Sequence, residues 1–181
     1  TRFGCILRAV AFGTQEGAGA EVFYTLHHII LKANLFLIAG LVYRLTGSYD
    51  LRRIGGLYAA KPLLAALFLV PALSLIGIPP FSGFWAKFLV LREAFALGRT
   101  AWAVAALLVS ALTMYSMVKV WLEAFWKSHP DEGWRPPAGT RLVPAYLAAG
   151  GLAACTLWIS LNPEPLAAFC AAAAATLGGA P

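Results

Sequence analysis

Apolar residues fall along this chain in runs too long for a soluble fold, separated by short polar connections. The first run, residues 3–12, is interrupted by Arg8. The second, residues 21–43, carries His27, His28, Lys32 and Asn34 in an otherwise largely apolar sequence and closes on Arg44. A third runs from 62 to 97, a fourth from 101 to 126 and a fifth from 142 to 161. A helix needs about 20 apolar residues to cross a bilayer core. The pattern therefore predicts an all-α, polytopic bundle of about five crossings, at residues 1–15, 21–43, 62–97, 101–126 and 141–161. A tail at 162–181 follows, Ala-rich with Pro163 and Pro165, with the make-up of a short interfacial helix. Gly13, Gly17 and Gly19 predict a turn between the first two spans.

The third run is the unusual one. As a continuous helix it would be about 54 Å long, more than one straight crossing. Its middle reads Gly77-Ile78-Pro79-Pro80-Phe81-Ser82-Gly83-Phe84. Two prolines remove two amide donors and obstruct the preceding turn, and each pushes the residue before it out of helical geometry. Gly77, Pro79, Pro80 and Gly83 thus predict one broken crossing, interrupted at 79–84, with Pro71 as an upstream kink.

Composition agrees. The chain is 60% hydrophobic and 12% charged, with a mean hydropathy of +0.74; a soluble domain carries roughly 25% charge. The net charge of +6 is not a nucleic-acid footprint, because Lys and Arg sit mostly at the ends of apolar runs, where they orient helices. Cys5, Cys155 and Cys170 have no paired spacing and read as small apolar residues in helices. The chain opens on Thr1 directly into an apolar run, without the charged start and cleavage site of a signal peptide. This is the pattern expected of a C-terminal piece of a longer protein.

Loop charge predicts orientation. Connection 44–61 carries Arg44, Arg52, Arg53 and Lys61, and connection 127–141 carries Lys127, Arg135 and Arg141. The positive-inside rule places both in the cytoplasm. Two crossings then separate them, and the turn at 98–100 and the C-terminus face outward, with Arg99 a mild exception.

A few ionisable groups lie inside the apolar layer. Lys87 follows the break, and an ammonium at mid-membrane costs roughly 2.5–3.5 kcal/mol on insertion scales. Broken helices with a charge at the break build ion sites in transporters; the plainer alternative is a surface loop at 79–84 with Lys87 at its edge. Lys32 follows His28 by four residues, on one helix face. Imidazole titrates near neutrality and burial lowers a lysine toward that range, so the pair suits proton relay; the alternative is a helix start among headgroups. His27, about 100° away around the helix, need not share that path. Lys119 and Glu123 form an i, i+4 pair near a helix end, where snorkelling or a structural ion pair is the plain reading. Arg8 fits a pathway residue or an anchor, and Arg92 and Glu93 fit pairing or an exit route. Tyr115, Ser110, Thr113 and Ser74 are placed to hydrogen-bond across helices. No phosphate loop, nucleophile elbow or metal-ligand cluster is present in the sequence, and adjacent His27 and His28 lack zinc-helix spacing. The reading is of no enzyme active site, no metal and no cofactor.

These residues also resemble a known family. His28, Lys32, Ala33, Phe36, Leu37 and Gly40 follow the H-x-x-x-K-A-x-x-F-L-x-x-G signature of the antiporter-like membrane subunits. Those subunits occur in respiratory complex I, membrane-bound hydrogenases and Mrp cation/proton antiporters. The segment from Ala72 through the break to Lys87 resembles them too. Tyr115-Ser116-Met117-Val118-Lys119-Val120-Trp121 and Ala124-Phe125-Trp126 look like the D-type subunit of the Mrp antiporters. The resemblance implies the C-terminal part of a fourteen-helix subunit built from two inverted five-helix repeats, in a bacterial or archaeal cell membrane. It implies that Lys87 on the broken helix moves protons toward the outer side. It sets His28 and Lys32 on a central hydrophilic axis. It implies relay of protons against Na⁺ or another monovalent cation, partner membrane subunits in a lipid bilayer, no cofactor and no nucleic acid. A redox-coupled pump subunit is the alternative. Arg2 and Asn34 depart from the family's usual residues.

Overall fold

The computed structural model describes residues 15–96, 98–131, 133–137 and 142–178. The expected span at 1–15, with Arg8 and Gly13, lies almost wholly outside them. The described residues form helices joined by short connections: α1 (Gln15–Thr46), α2 (Leu57–Ala60), α3 (Pro62–Ile76), α4 (Ser82–Ala96), α5 (Thr100–Val120), α6 (Val143–Leu161) and α7 (Pro163–Gly178). A π-helical turn, Trp121–Trp126, continues α5 directly. Val22–Thr46, Thr100–Trp126 and Val143–Leu161 are each long and apolar enough to cross a membrane.

α1 is the central post, touching α3, α4, α6 and α7. Phe23, His27, Leu31, Asn34, Ile38, Leu41 and Leu45 are all buried and recur at intervals of three or four, which keeps them on one inward stripe. Lys32 lies about 100° off that stripe and is exposed. The helix begins at Gln15, through the positions of Gly17 and Gly19 where a turn is predicted. Glycine inside a helix costs only about 1 kcal/mol relative to alanine, and packing on α1 exceeds that. The packing comes from the tail: α7 lies along the first half of α1, with Phe23, Ile159 and Cys170 buried together. The tail is therefore part of the bundle, not a helix apart at the interface. Pro163 at its first position costs nothing, because that amide has no helical partner in any case.

The second half of α1 packs on α3, α6 and the end of α5 through Ile38, Leu41, Leu64, Phe68, Phe125 and Ala149. Between membrane helices such contacts hold by dispersion and close fit, since lipid is as apolar as the core. Most of the α5 span faces outward, and this bears on its polar residues. Ser110 and Thr113 donate to Ala106 O (2.9 Å) and Val109 O (2.8 Å) of their own helix, and Tyr115 is exposed. Of the four residues for which cross-helix bonding is predicted, Ser74 makes it, accepting from Gly83 N–H.

The connections 47–56 and 127–129 dock on each other at one end of the bundle. Gly56 N–H donates to Lys127 O (2.5 Å). A Cβ on Gly55 would lie 2.6 Å from Ser128 O and 2.7 Å from Lys127 O, so only glycine fits. Glu123 pairs with Lys127 at 2.9 Å, not with Lys119, which is exposed. The order Glu before Lys is the favoured one, and Lys127 Nζ also donates to Leu51 O (3.4 Å), tying the π-turn to the opposite loop.

Gly55→Val should separate these loops. Overpacking of this kind costs about 1–3 kcal/mol, so the purified membrane protein should melt several degrees lower in a thermal-shift assay. Glu123→Gln, which removes a half-exposed pair, should change the melting temperature little.

Candidate functional site

The break occupies 77–81, two residues before the predicted 79–84 and resuming helix earlier. Gly77 ends α3 in the left-handed region at φ +86°. Its N–H and that of Ile78 both donate to Leu73 O, at 3.0 and 3.3 Å, the paired closure that left-handed glycines supply at helix ends. Pro79 and Pro80, joined by a cis peptide, then span the gap. α4 restarts at once because a proline just before or within a first turn forfeits no helical bond.

A helix that ends leaves its last carbonyls without partners. Here Lys87 supplies them. Its Nζ donates to Leu75 O at 3.1 Å and Ile76 O at 2.5 Å, reaching back from α4 across the break. The ammonium thus sits at the negative end of the α3 dipole, where a cation is stabilised. Its stem lies over Gly77: a Cβ there would come within 2.9 Å of Lys87 Cδ and 3.3 Å of Cε. Gly77 is needed both for its backbone angle and for the room it leaves the lysine.

Gly83, in the first turn of α4, closes the other side. A Cβ on it would fall 1.6 Å from Ser74 O and 3.2 Å from His27 Nε2. Its N–H donates to Ser74 Oγ at 3.3 Å. Three helices therefore meet at one point: α1 through His27, α3 through Ser74 and its terminal carbonyls, and α4 through Gly83 and Lys87. Lys87 is near enough to His27 to act on it electrostatically. His27 is 3% exposed and His28 9%. The two rings stand 5.6 Å apart, and Tyr24 meets His28 edge-on at 4.2 Å. The arrangement brings three nitrogen-bearing side chains, Lys87, His27 and His28, together beside the break.

The predicted residues divide accordingly. Lys87, His28, His27, Gly77, Pro79, Pro80 and Gly83 are gathered at or beside the break. Lys32 is four residues further along α1 and points outward, away from the described bundle. Lys119 and Glu123 lie on α5 and its π-turn, with Glu123 in the pair that anchors the loops. Arg92 lies on α4 and is exposed; the Glu93 side chain lies outside the described residues. Pairing His28 with Lys32 by their spacing understated His27. The signal was present in the inward stripe, which contains His27 and Asn34 and omits Lys32.

Comparison with known proteins identifies the family of the chain. Residues 1–113 match the family described as NADH:quinone oxidoreductase/Mrp antiporter, TM. The D-type Na⁺/H⁺ antiporter subunit of Alkalihalophilus pseudofirmus is 38% identical over 92% of the chain, which spans 33% of that protein. In the solved structure of the Mrp complex from a Dietzia species, one chain superposes with a TM-score of 0.83 at 32% identity. The match takes in 96% of this chain and 40% of that one. A chain of respiratory complex I from Thermus thermophilus gives 0.69 at 30% identity, over 91% of this chain and 36% of that one. The present chain thus spans about a third of the length of the curated relative it matches. With its membrane-length helices, broken α3–α4 crossing and matched sequence, it is a multi-pass membrane protein that belongs to the NADH:quinone oxidoreductase/Mrp antiporter transmembrane family.

Proposed function

We propose that this chain is part of a proton-translocating membrane subunit of a multisubunit Na⁺/H⁺ antiporter, and a transporter component, not an enzyme. The observation that carries the reading is the Lys87 ammonium held on the last carbonyls of α3 beside the two buried imidazoles of α1. The last carbonyls of α3 hold the lysine head by hydrogen bonds that a neutral amine would make less strongly. When Lys87 is neutral its grip on Leu75 O and Ile76 O weakens, and the stem, resting on Gly77, is free to move. His27 and His28 are the adjacent proton carriers on the inner side of the break.

Lys32 joins the relay from the opposite face of α1. An ammonium at mid-span facing lipid is too costly to persist, so that face is covered by another membrane element of the complex. The likeness to the D-type chain of an Mrp antiporter supports partner membrane subunits and exchange of Na⁺ or another monovalent cation. The connections 44–61 and 127–141 are cytoplasmic and the C-terminus is outside; the docking of Gly56 on Lys127 supports putting both loops on one side, and their basic residues support the cytoplasmic one. The likeness to a complex I chain favours a second reading, a proton-pumping subunit of an NADH:quinone oxidoreductase or a membrane-bound hydrogenase. Neighbouring genes for small antiporter components or for flavin and iron–sulfur proteins distinguish the two.

Lys87→Ala in the intact complex should lower Na⁺/H⁺ exchange in membrane vesicles at least tenfold with assembly unchanged; full exchange would show that Lys87 carries no proton. Gly77→Ala should lower exchange several-fold, because it crowds the lysine stem and strains a left-handed position; unchanged exchange and melting temperature would count against the described packing. If Lys32→Met and Lys87→Met together left both assembly and transport intact, these charges would be structural and the chain a scaffold.

A further inference from the structure

The membrane-length stretch Thr100–Trp126 ends at a cavity of about 880 Å³, between α2 and the connection 128–136. Sites for small organic ligands are about 300–1,000 Å³. Its place at the end of a crossing puts the cavity at the boundary of hydrocarbon and water. Tyr58, Trp126 and Trp134 stand in its wall, and Tyr and Trp are the residues that favour that boundary. Tyr58 and Trp126 lie 5.9 Å apart, and Trp134 is stacked on His129 at 4.4 Å.

The same wall carries one cation and one anion, Arg135 and Asp131, both exposed. Among the described residues Arg135 has no ion-pair partner. Asp131 has His129 beside it, at 3.9 Å. His129 Nδ1 accepts from Asp131 N–H at 3.1 Å, so that nitrogen holds no proton and the ring offers the carboxylate no charge.

A second feature leads into the cavity from the membrane. Tyr115, Val118, Leu122 and Trp126 are exposed and recur at intervals of three or four, which makes one uncovered strip along α5 and its π-turn. Lys119 lies on this strip, also exposed. Its long stem runs over apolar surface while the ammonium reaches toward the headgroup level.

We infer that the cavity binds the headgroup of a phospholipid with a primary amine, of the phosphatidylethanolamine type. The ammonium lies at Asp131 against the aromatic faces, which attract cations. Arg135 takes the phosphate with its forked donors, and an acyl chain follows the α5 strip. A headgroup with no amine would leave Asp131 unanswered, and a quaternary amine could donate no hydrogen bond to it. The site requires that the chain span a membrane; it does not require the relay at the break.

The test uses the intact complex, stripped of lipid in detergent and titrated with short-chain phospholipids under native mass spectrometry. The tightest phosphatidylethanolamine should bind at least fivefold more strongly than phosphatidylglycerol. Asp131→Asn and Arg135→Gln should each weaken it at least fivefold, with the melting temperature of the lipid-free complex unchanged. Arg53→Gln, on the other connection, should leave it unaltered. Undiminished binding in the first two variants overturns the inference, as does an equal loss in Arg53→Gln. Phosphatidylglycerol binding as tightly would overturn the choice of an amine. Glycerophosphoethanolamine, which has no acyl chains, binding as tightly would overturn the choice of a lipid.

Discussion

A helix that stops inside a membrane leaves its last carbonyls facing a medium that cannot hydrogen-bond to them, and a lysine inside a membrane has the complementary difficulty. In this bundle each answers the other. Lys87 donates to Leu75 O and Ile76 O, so the charge is solvated by the end of α3 and the end of α3 is capped by the charge. The details of the break serve that exchange. Gly77 turns the chain in a conformation open to glycine and leaves space for the lysine stem. Pro79 and Pro80 stop α3 from continuing. Gly83 lets the start of α4 close on Ser74. A capping interaction made by a titratable group is also one that loss of its proton can loosen, which links the architecture of the break to its proposed use.

The central helix sorts the remaining polar groups by direction. Residues on its inward stripe, His27 and Asn34 among them, are enclosed by α3, α4, α6 and α7, while Lys32 looks the other way. Ionisable nitrogens therefore stand on two sides of one helix. His28, at the edge of the stripe and one turn before Lys32, is the residue best placed between the two sides. The C-terminal helix contributes by holding the first half of α1 in place, and so fixes the height at which His27 meets Gly83.

Away from the break, the bundle is secured at one end by backbone contact. Gly55 and Gly56 let the two connections touch, and Lys127 joins the π-turn, Glu123 and Leu51 in a single cluster. Because α5 packs mainly near this end and leaves most of its span uncovered, its hydroxyl groups turn back onto their own helix, the usual outlet where no facing helix is present.

Sequence alone was enough for the class of protein, the apolar runs, the broken crossing and the importance of Lys87 to it. Those follow from local costs: the length of an apolar run, the missing amides of Pro79 and Pro80, and the expense of a charge in hydrocarbon do not depend on neighbours. The resemblance carried by His28, Lys32 and segment 72–87 was legible for the same reason, as it is written in contiguous residues. Tertiary structure decided which nitrogen faces which helix. His27 rather than Lys32 meets the break, Glu123 takes Lys127 rather than Lys119, and Gly17 and Gly19 remain helical because α7 packs along that half of α1. Each of these depends on contacts between segments distant in the chain, where a rotation of one residue, about 100°, exchanges an inner group for an outer one.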